Sequence, residues 1–274
     1  MSLKKKYIIK ITIVLVLLLS LNFAVLGKKF STKVFDNKGV LTVGMELKFP
    51  PFETVDKDGN PTGVSVDMAN AIGEKLGMKV KIKNIDYSGL IPALQSNNID
   101  LIISSMGITE DREKTIDFSK EYARSDLGLA VNKNYDIKTY KDLNNPKYTI
   151  AAKQGTIGAM WAKENLPKAH LKEFTEVSAA MLDVNNGGST AFIYDPLSLI
   201  ESSQNLSNIN LVLEPLPGVK GWGIGMRKGN EELKDKVNKA LDELREEGFF
   251  ENTREKYLKD QVEKYKSYGL EYFF

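Results

Sequence analysis

Residues 86–122 read DYSGLIPALQSNNIDLIISSMGITEDREKTIDFSKEY, and their order of elements decides the fold. Leu90 to Gln95 can form a helix, and Asn97-Asn98 breaks it. Ile99 to Ser104 is an apolar run of strand length, as expected of a strand buried on both faces. A sharp turn through Ser105, Met106 and Gly107 follows. Thr109 is then placed to cap a helix opening at Glu110-Asp111-Arg112. Side chains in a helix tilt toward its N-terminus, so Arg112 can lean back over the end of the preceding strand. A helix start with a guanidinium beside it is a fork suited to a carboxylate. On these residues alone, the plainer reading of Arg112 is a solvated first-turn side chain.

Outward from this stretch the same alternation continues. Val40–Met45 reads as a strand, and Glu46 to Glu53 as a loop that two prolines keep irregular. Val66 to Leu76 has helical spacing and stops at Gly77, and Lys79 to Ile85 alternates as a strand should. Strands are expected near 126–131, 148–152, 174, 191–195, 211–213 and 222–226. Helices are expected near 140–144, 159–164, 178–184, 196–203, 230–246 and 250–258. Lys153-Gln154-Gly155-Thr156-Ile157 joins a strand to a helix, a second turn able to face an anion or simply a tight turn. The last strand and the long helix come after the second α/β unit is complete. That order predicts one unit inserted into the other, with crossings near 124–128 and 217–221.

Composition narrows the function. Hydrophobic residues make up 42% and charged residues 27%, enough for a packed core. Lys4-Lys5-Lys6 before the apolar run Tyr7 to Leu26 reads as a targeting signal or an uncleaved anchor over residues 1–27. Without that segment 34 basic residues face 36 acidic ones, which argues against nucleic acid as a partner. There is no cysteine, which excludes disulfides, thiolate metal sites and a thiol nucleophile. The one histidine, His170, follows a loop-like Asn165-Leu166-Pro167 and has no second histidine to join it as a metal ligand.

The run GLIPALQSNNIDLIISSMGITEDREKTIDFSKEY resembles the type II amino-acid-binding proteins of ABC importers, solute-binding protein family 3. The likeness extends over nearly all of residues 40–262. It includes VGMELKFPPFE, GVSVDMANAIGEKLG, QGTIGAMWAKENLP, AFIYDP and GWGIGMRKGNEEL. It implies an α/β, two-lobed periplasmic-binding-protein-like II clamshell with the second lobe inserted into the first: 28–126 and 221–274 in one lobe, 127–220 in the other. It also implies an exported receptor that closes on a small-molecule amino acid and docks on an ABC permease with its ATPase. No cofactor and no metal are expected, and a monomer is. The resemblance leaves two other readings, a membrane-tethered amino-acid sensor and a dehydratase-like enzyme on the same fold.

Carried over position by position, the resemblance places Arg112 on the ligand carboxylate and Ser105 and Asp195 on its ammonium. Met106 and Lys153 fall inside the two turns. Gly107 would offer its backbone N–H, although many relatives have Thr or Ser there. Thr156 and Ile157 fall in the carboxylate clamp of the second lobe, and Ile157 again replaces a frequent hydroxyl. Phe49 and Tyr87 occupy the positions of aromatics that sandwich the ligand side chain. Glu46 occupies that of an acid that reaches a basic side chain, so lysine, arginine or ornithine is the expected ligand class, ahead of polar uncharged and then apolar ones. Read without the resemblance, Asp195 is a helix cap before Pro196-Leu197, Phe49 and Tyr87 can as well be core aromatics, and Glu46 a surface loop acid.

Overall fold

The computed structural model describes residues 39–124 and 126–270. The expected targeting segment, the spacer after it and the final aromatic residues lie outside them. Strand β1 (Val40–Met45) runs parallel to β4 (Lys79–Asn84) on one side and β5 (Leu101–Ile102) on the other. Antiparallel β12 (Gly225–Arg227) and β6 (Ile116–Phe118) complete the first sheet, in the order β4-β1-β5-β12-β6. A two-stranded ribbon, β2 (Thr54–Val55) with β3 (Pro61–Thr62), lies apart from it. β4 is the outer strand, and its Lys79, Lys81 and Lys83 discourage further pairing along that edge.

The second sheet takes all of its strands from residues 128–212. These are β7 (Gly128–Asn132), β8 (Thr149–Lys153), β9 (His170–Phe174), β10 (Ala191–Tyr194) and β11 (Ile209–Val212), in the order β11-β7-β10-β8-β9. The strand pleat divides its core in two. Leu129, Val131, Ala191 and Ile193 pack on one face with Trp161, while Ala130 and Phe192 pack on the other with Met181. Each lobe therefore has its own core.

The helices follow from their ends and stripes. α1 (Val64–Lys75) packs so closely on β4 that a Cβ at Gly73 would lie 2.3 Å from Val80 Cγ2. α2 (Leu90–Gln95) follows a 3₁₀ turn at Tyr87–Gly89. α3 (Glu110–Glu113) is a single turn capped by Thr109, whose hydroxyl accepts the Arg112 N–H. The second lobe carries α4 (Ile157–Asn165), α5 (Val177–Asn185) and α6 (Pro196–Ser203). α7 (Glu231–Glu246) starts at Asn230, which accepts the Leu233 N–H, and buries Leu233, Val237, Ala240, Leu241 and Leu244. Leu241→Ala is expected to destabilise the protein by about 2–5 kcal/mol without changing ligand preference, read as a lower urea midpoint. α8 (Phe249–Tyr257) and α9 (Lys259–Ser267) close the described chain.

Several elements differ from the sequence expectation. The run 99–104 pairs as a strand only at Leu101–Ile102, because Ser105 turns the chain at φ +46. Ile99 and Ile103 stay buried without belonging to the strand. β6 interrupts a stretch with no expected strand, since its middle residue is an acid. Asp117 is buried there against Lys228 at 2.8 Å and the Gly229 N–H at 2.6 Å. Trp222 lies outside β12 and makes isolated bridges to Gly107 and Ala123 instead. His170, after the loop-like stretch, is exposed as a surface residue should be, and it starts β9. α9 is a further departure: in its lysine-rich stretch Tyr265 is the buried residue, with Leu258 buried just before the helix.

Candidate functional site

The carboxyl ends of strands from both sheets meet at one cleft, the place where open α/β sheets bind ligands. Its empty volume is about 490 Å³ including the open mouth. The end of β1 supplies Glu46, and the loop after it Phe49 and Glu53. The 3₁₀ turn supplies Tyr87, and the end of β5 supplies Ser104 and Ser105. The second lobe supplies Thr156, Ile157 and Gly158 at the start of α4, and Tyr194 and Asp195 at the end of β10. Asp126, Leu127 and Trp222 come from the two crossing segments.

At one end lies Asp195. It caps α6, with Oδ1 accepting the Ser198 N–H at 3.0 Å, while the buried Oδ2 has no hydrogen-bond partner. Burial raises its pKa to about 7, against the pull of the Ser198 and Leu197 amides. The cap and the ligand contact expected from the sequence are thus compatible, one oxygen serving each.

Arg112 is buried behind Tyr87. Its Nη1 donates to the Gly107 carbonyl, and its Nη2 to the Gly155 carbonyl of the other lobe at 2.8 Å and to the Tyr87 hydroxyl at 3.5 Å. The guanidinium carbon lies 5.8 Å from the Tyr87 ring centre, within cation–π range. Thus Gly107, expected to offer its N–H to the ligand, also offers its carbonyl to Arg112. Met106 does not reach the cleft: its side chain belongs to the core beneath, with Leu90, Ile102 and Ile116.

The two missing hydroxyls of the resemblance are related in space. A Cβ at Gly107 would lie 2.8 Å from Ile157 Cγ2, so the Ile157 side chain covers Gly107 across the cleft. Gly107→Ala is expected to cost about 1–3 kcal/mol in thermal or urea unfolding. Ile157→Ala on top should recover most of it, because the two side chains share one contact. Thr156, by contrast, turns its hydroxyl to the Lys153 carbonyl at 2.7 Å.

Glu46 departs furthest from expectation. It is paired with the Lys153 ammonium, and both side chains are buried, at 5% and 4% exposure. Its other oxygen accepts the Tyr87 N–H at 3.2 Å. Glu53, not among the expected site residues, lies near it. Burial raises Glu53 to about 8, although hydroxyls of Ser65, Ser105 and Ser104 donate to it at 2.6, 3.0 and 3.4 Å. Ser105 therefore spends its hydroxyl on Glu53, from a left-handed backbone conformation that non-glycine residues seldom adopt.

Aromatic rings line the cleft more fully than Phe49 and Tyr87 alone. Phe49 meets Trp222 edge-on at 5.9 Å and Tyr194 at 6.3 Å, and stacks on Phe52 at 5.1 Å. Trp222 and Tyr194 are not among the site residues expected from the sequence, although Tyr194 adjoins Asp195 at a strand end. Among the described residues no group of His, Cys, Asp or Glu is arranged to hold a metal ion. No described helix is long and apolar enough to cross a membrane.

Residues 41–260 match the family of bacterial extracellular solute-binding proteins, family 3. The chain belongs to that family. It is 28% identical over 229 residues to the L-cystine-binding protein TcyJ of Escherichia coli K12, covering 83% of this chain and 85% of that one. To the L-arginine-binding protein of Pseudomonas aeruginosa it is 30% identical over 234 residues, covering 80% and 88%. Its fold is similar to that of an ancestral arginine-binding protein bound to arginine, with TM-score 0.72 and 36% identity over 81% of this chain and 99% of the other. The two-lobed clamshell expected from the sequence is thus the fold of a family member with solved relatives.

Proposed function

We propose that this protein is an extracytoplasmic receptor that binds one L-amino acid between its lobes and delivers it to an ABC importer, a permease with its ATPase, as a monomer. The observation that carries the reading is the buried Oδ2 of Asp195, which faces the cleft without a hydrogen-bond partner, with the buried Arg112 directly behind the lining residue Tyr87. A zwitterion leaving water needs a partner for each charge, or desolvation costs several kcal/mol per ion. Arg112 suits the carboxylate and Asp195 the ammonium. Tyr87 and the first-turn amides of α4 frame the carboxylate end, while Ser105, its hydroxyl given to Glu53, offers its backbone carbonyl to the ammonium.

A ligand that touches both lobes favours the arrangement in which they are drawn together. Arg112 to Gly155 and Lys153 to Glu46 already join the lobes across the cleft. In this reading the chain bends at the crossings laid out from the sequence, near 124–128 and 217–221, between the lobes laid out there. The relatives' named ligands include arginine and cystine, so the family resemblance does not select a side chain. A cationic side chain would be read by Glu46, whose pairing with Lys153 bears directly on that choice.

The test is a thermal-shift screen of residues 28–274, dialysed after mild unfolding, against the proteinogenic amino acids, ornithine and citrulline. At about 1 mM ligand and a dissociation constant of about 1 μM, linkage stabilises by roughly 4 kcal/mol. That corresponds to a shift of about 10 °C for a chain of this size. No shift with any amino acid overturns the reading.

A further inference from the structure

The Lys153 ammonium already occupies the Glu46 carboxylate that an incoming cationic side chain would seek. Glu46 stands just beyond β1 and Lys153 ends β8, so the pair spans the cleft from lobe to lobe. Both Glu46 oxygens are engaged, one by Lys153 and one by the Tyr87 N–H. A lysine or arginine side chain that reached Glu46 would leave the Lys153 ammonium buried without its counter-charge. A buried ammonium that must share or lose its counter-charge weakens binding of a basic side chain, by about tenfold or more.

The other charges of the cleft balance without help from a ligand side chain. Arg112 answers the ligand carboxylate. Asp195, with Asp126 close enough to raise it further, answers the ammonium. Glu53 is already surrounded by the Ser65, Ser104 and Ser105 hydroxyls. An acidic side chain gains nothing from Lys153, because Glu46 lies against it. What remains for the side chain is an apolar wall, in which Phe49, Trp222 and Tyr194 meet edge to face and Ile157 covers Gly107.

We infer that Lys153 is the specificity-determining residue of this receptor: it fills the carboxylate that would read a basic side chain, so the protein takes an L-amino acid with an uncharged, largely apolar side chain. The inference rests on the amino-acid-receptor reading above.

The experiment is calorimetric titration of the wild-type protein with leucine, methionine and phenylalanine against lysine, arginine, ornithine and glutamate. Uncharged ligands are expected to bind at least about tenfold more tightly than charged ones. Lys153→Met keeps the bulk of the side chain and leaves Glu46 unpaired. It is expected to raise the affinity for lysine or arginine, relative to leucine, by about tenfold or more. Glu46→Gln leaves Lys153 free instead and is expected to move the preference toward glutamate, so the inference stays open to test if Lys153→Met fails to fold. A wild-type protein that prefers lysine or arginine to every uncharged amino acid overturns the inference and leaves the receptor reading standing. An unchanged ratio in both variants does the same. Absence of binding to any amino acid overturns both.

Discussion

Arg112→Ala is expected to lower amino-acid affinity by about a thousandfold while the protein still folds. Removing one partner of a buried charge pair costs about 2–5 kcal/mol, much of it from the charge left behind, here the ligand carboxylate. The fold should survive because what positions Arg112 does not depend on its guanidinium. Thr109 caps α3 through the Arg112 backbone N–H, and the core beneath is built from Leu90, Ile102, Met106 and Ile116. Some stability will be lost, since the Gly107 and Gly155 carbonyls each lose a donor. Arg112→Lys separates charge from geometry. It keeps a cation but not the planar fork, and is expected to recover only part of the affinity. Calorimetry of both variants, with circular dichroism as a control for folding, decides the matter. Wild-type affinity in Arg112→Ala would remove this residue from the site.

What the sequence made legible was local. Thr109 before Glu110-Asp111-Arg112 is a capping pattern within a few residues, and the structure has that cap. The buried strands of both sheets are apolar runs, and the chain order of strands and helices sufficed for the inserted second α/β unit. The cleft was legible only as far as strand ends could be counted. Glu46, Phe49, Tyr87, Ser105, Thr156, Ile157 and Asp195 do line it, whereas Gly107, Arg112 and Lys153 do not, Arg112 and Lys153 being bonded to the lining residues Tyr87 and Glu46. Met106 does not, because a turn residue's side-chain direction depends on backbone angles that residue type does not specify. Contacts between lobes were the hardest to read. Lys153 and Glu46 are separated by 107 positions, and neither residue's neighbours reveal that the other is there. Ile157 over Gly107 is the same case: two departures from the family pattern look independent until they touch.

Asp195→Asn is expected to weaken binding by about a hundredfold or more at pH 8 and to abolish most of its pH dependence. The substitution isolates charge, because Asn caps a helix as well as Asp does and α6 should keep its first turn. The unpartnered Oδ2 is the acceptor for the ligand ammonium, and an amide offers that cation no negative charge. The pH argument follows from burial, which raises Asp195 from an ordinary carboxylate value to about 7. In the unfolded chain the group is ionised above about pH 4. Between about pH 4 and 7 the folded protein therefore holds a proton that the unfolded chain has lost. Asp195 thus contributes stability at low pH that is lost as pH rises through about 7. Asparagine carries no such penalty, so without ligand the variant should be more stable than wild type at pH 8, by at most about 4 kcal/mol for a pKa raised from about 4 to about 7. Ligand acts in the opposite sense. Its ammonium favours the ionised carboxylate, so binding below about pH 7 releases a proton and wild-type affinity falls by up to about tenfold per pH unit. Glu53, raised to about 8 in the same cleft, titrates in a neighbouring range, which is why the variant and not the profile alone carries the assignment. Calorimetry in buffers of different ionisation enthalpy measures the released proton directly. A variant that binds as tightly as wild type, or keeps the same proton release, would place the ammonium on another acceptor, with Asp126 the first to examine.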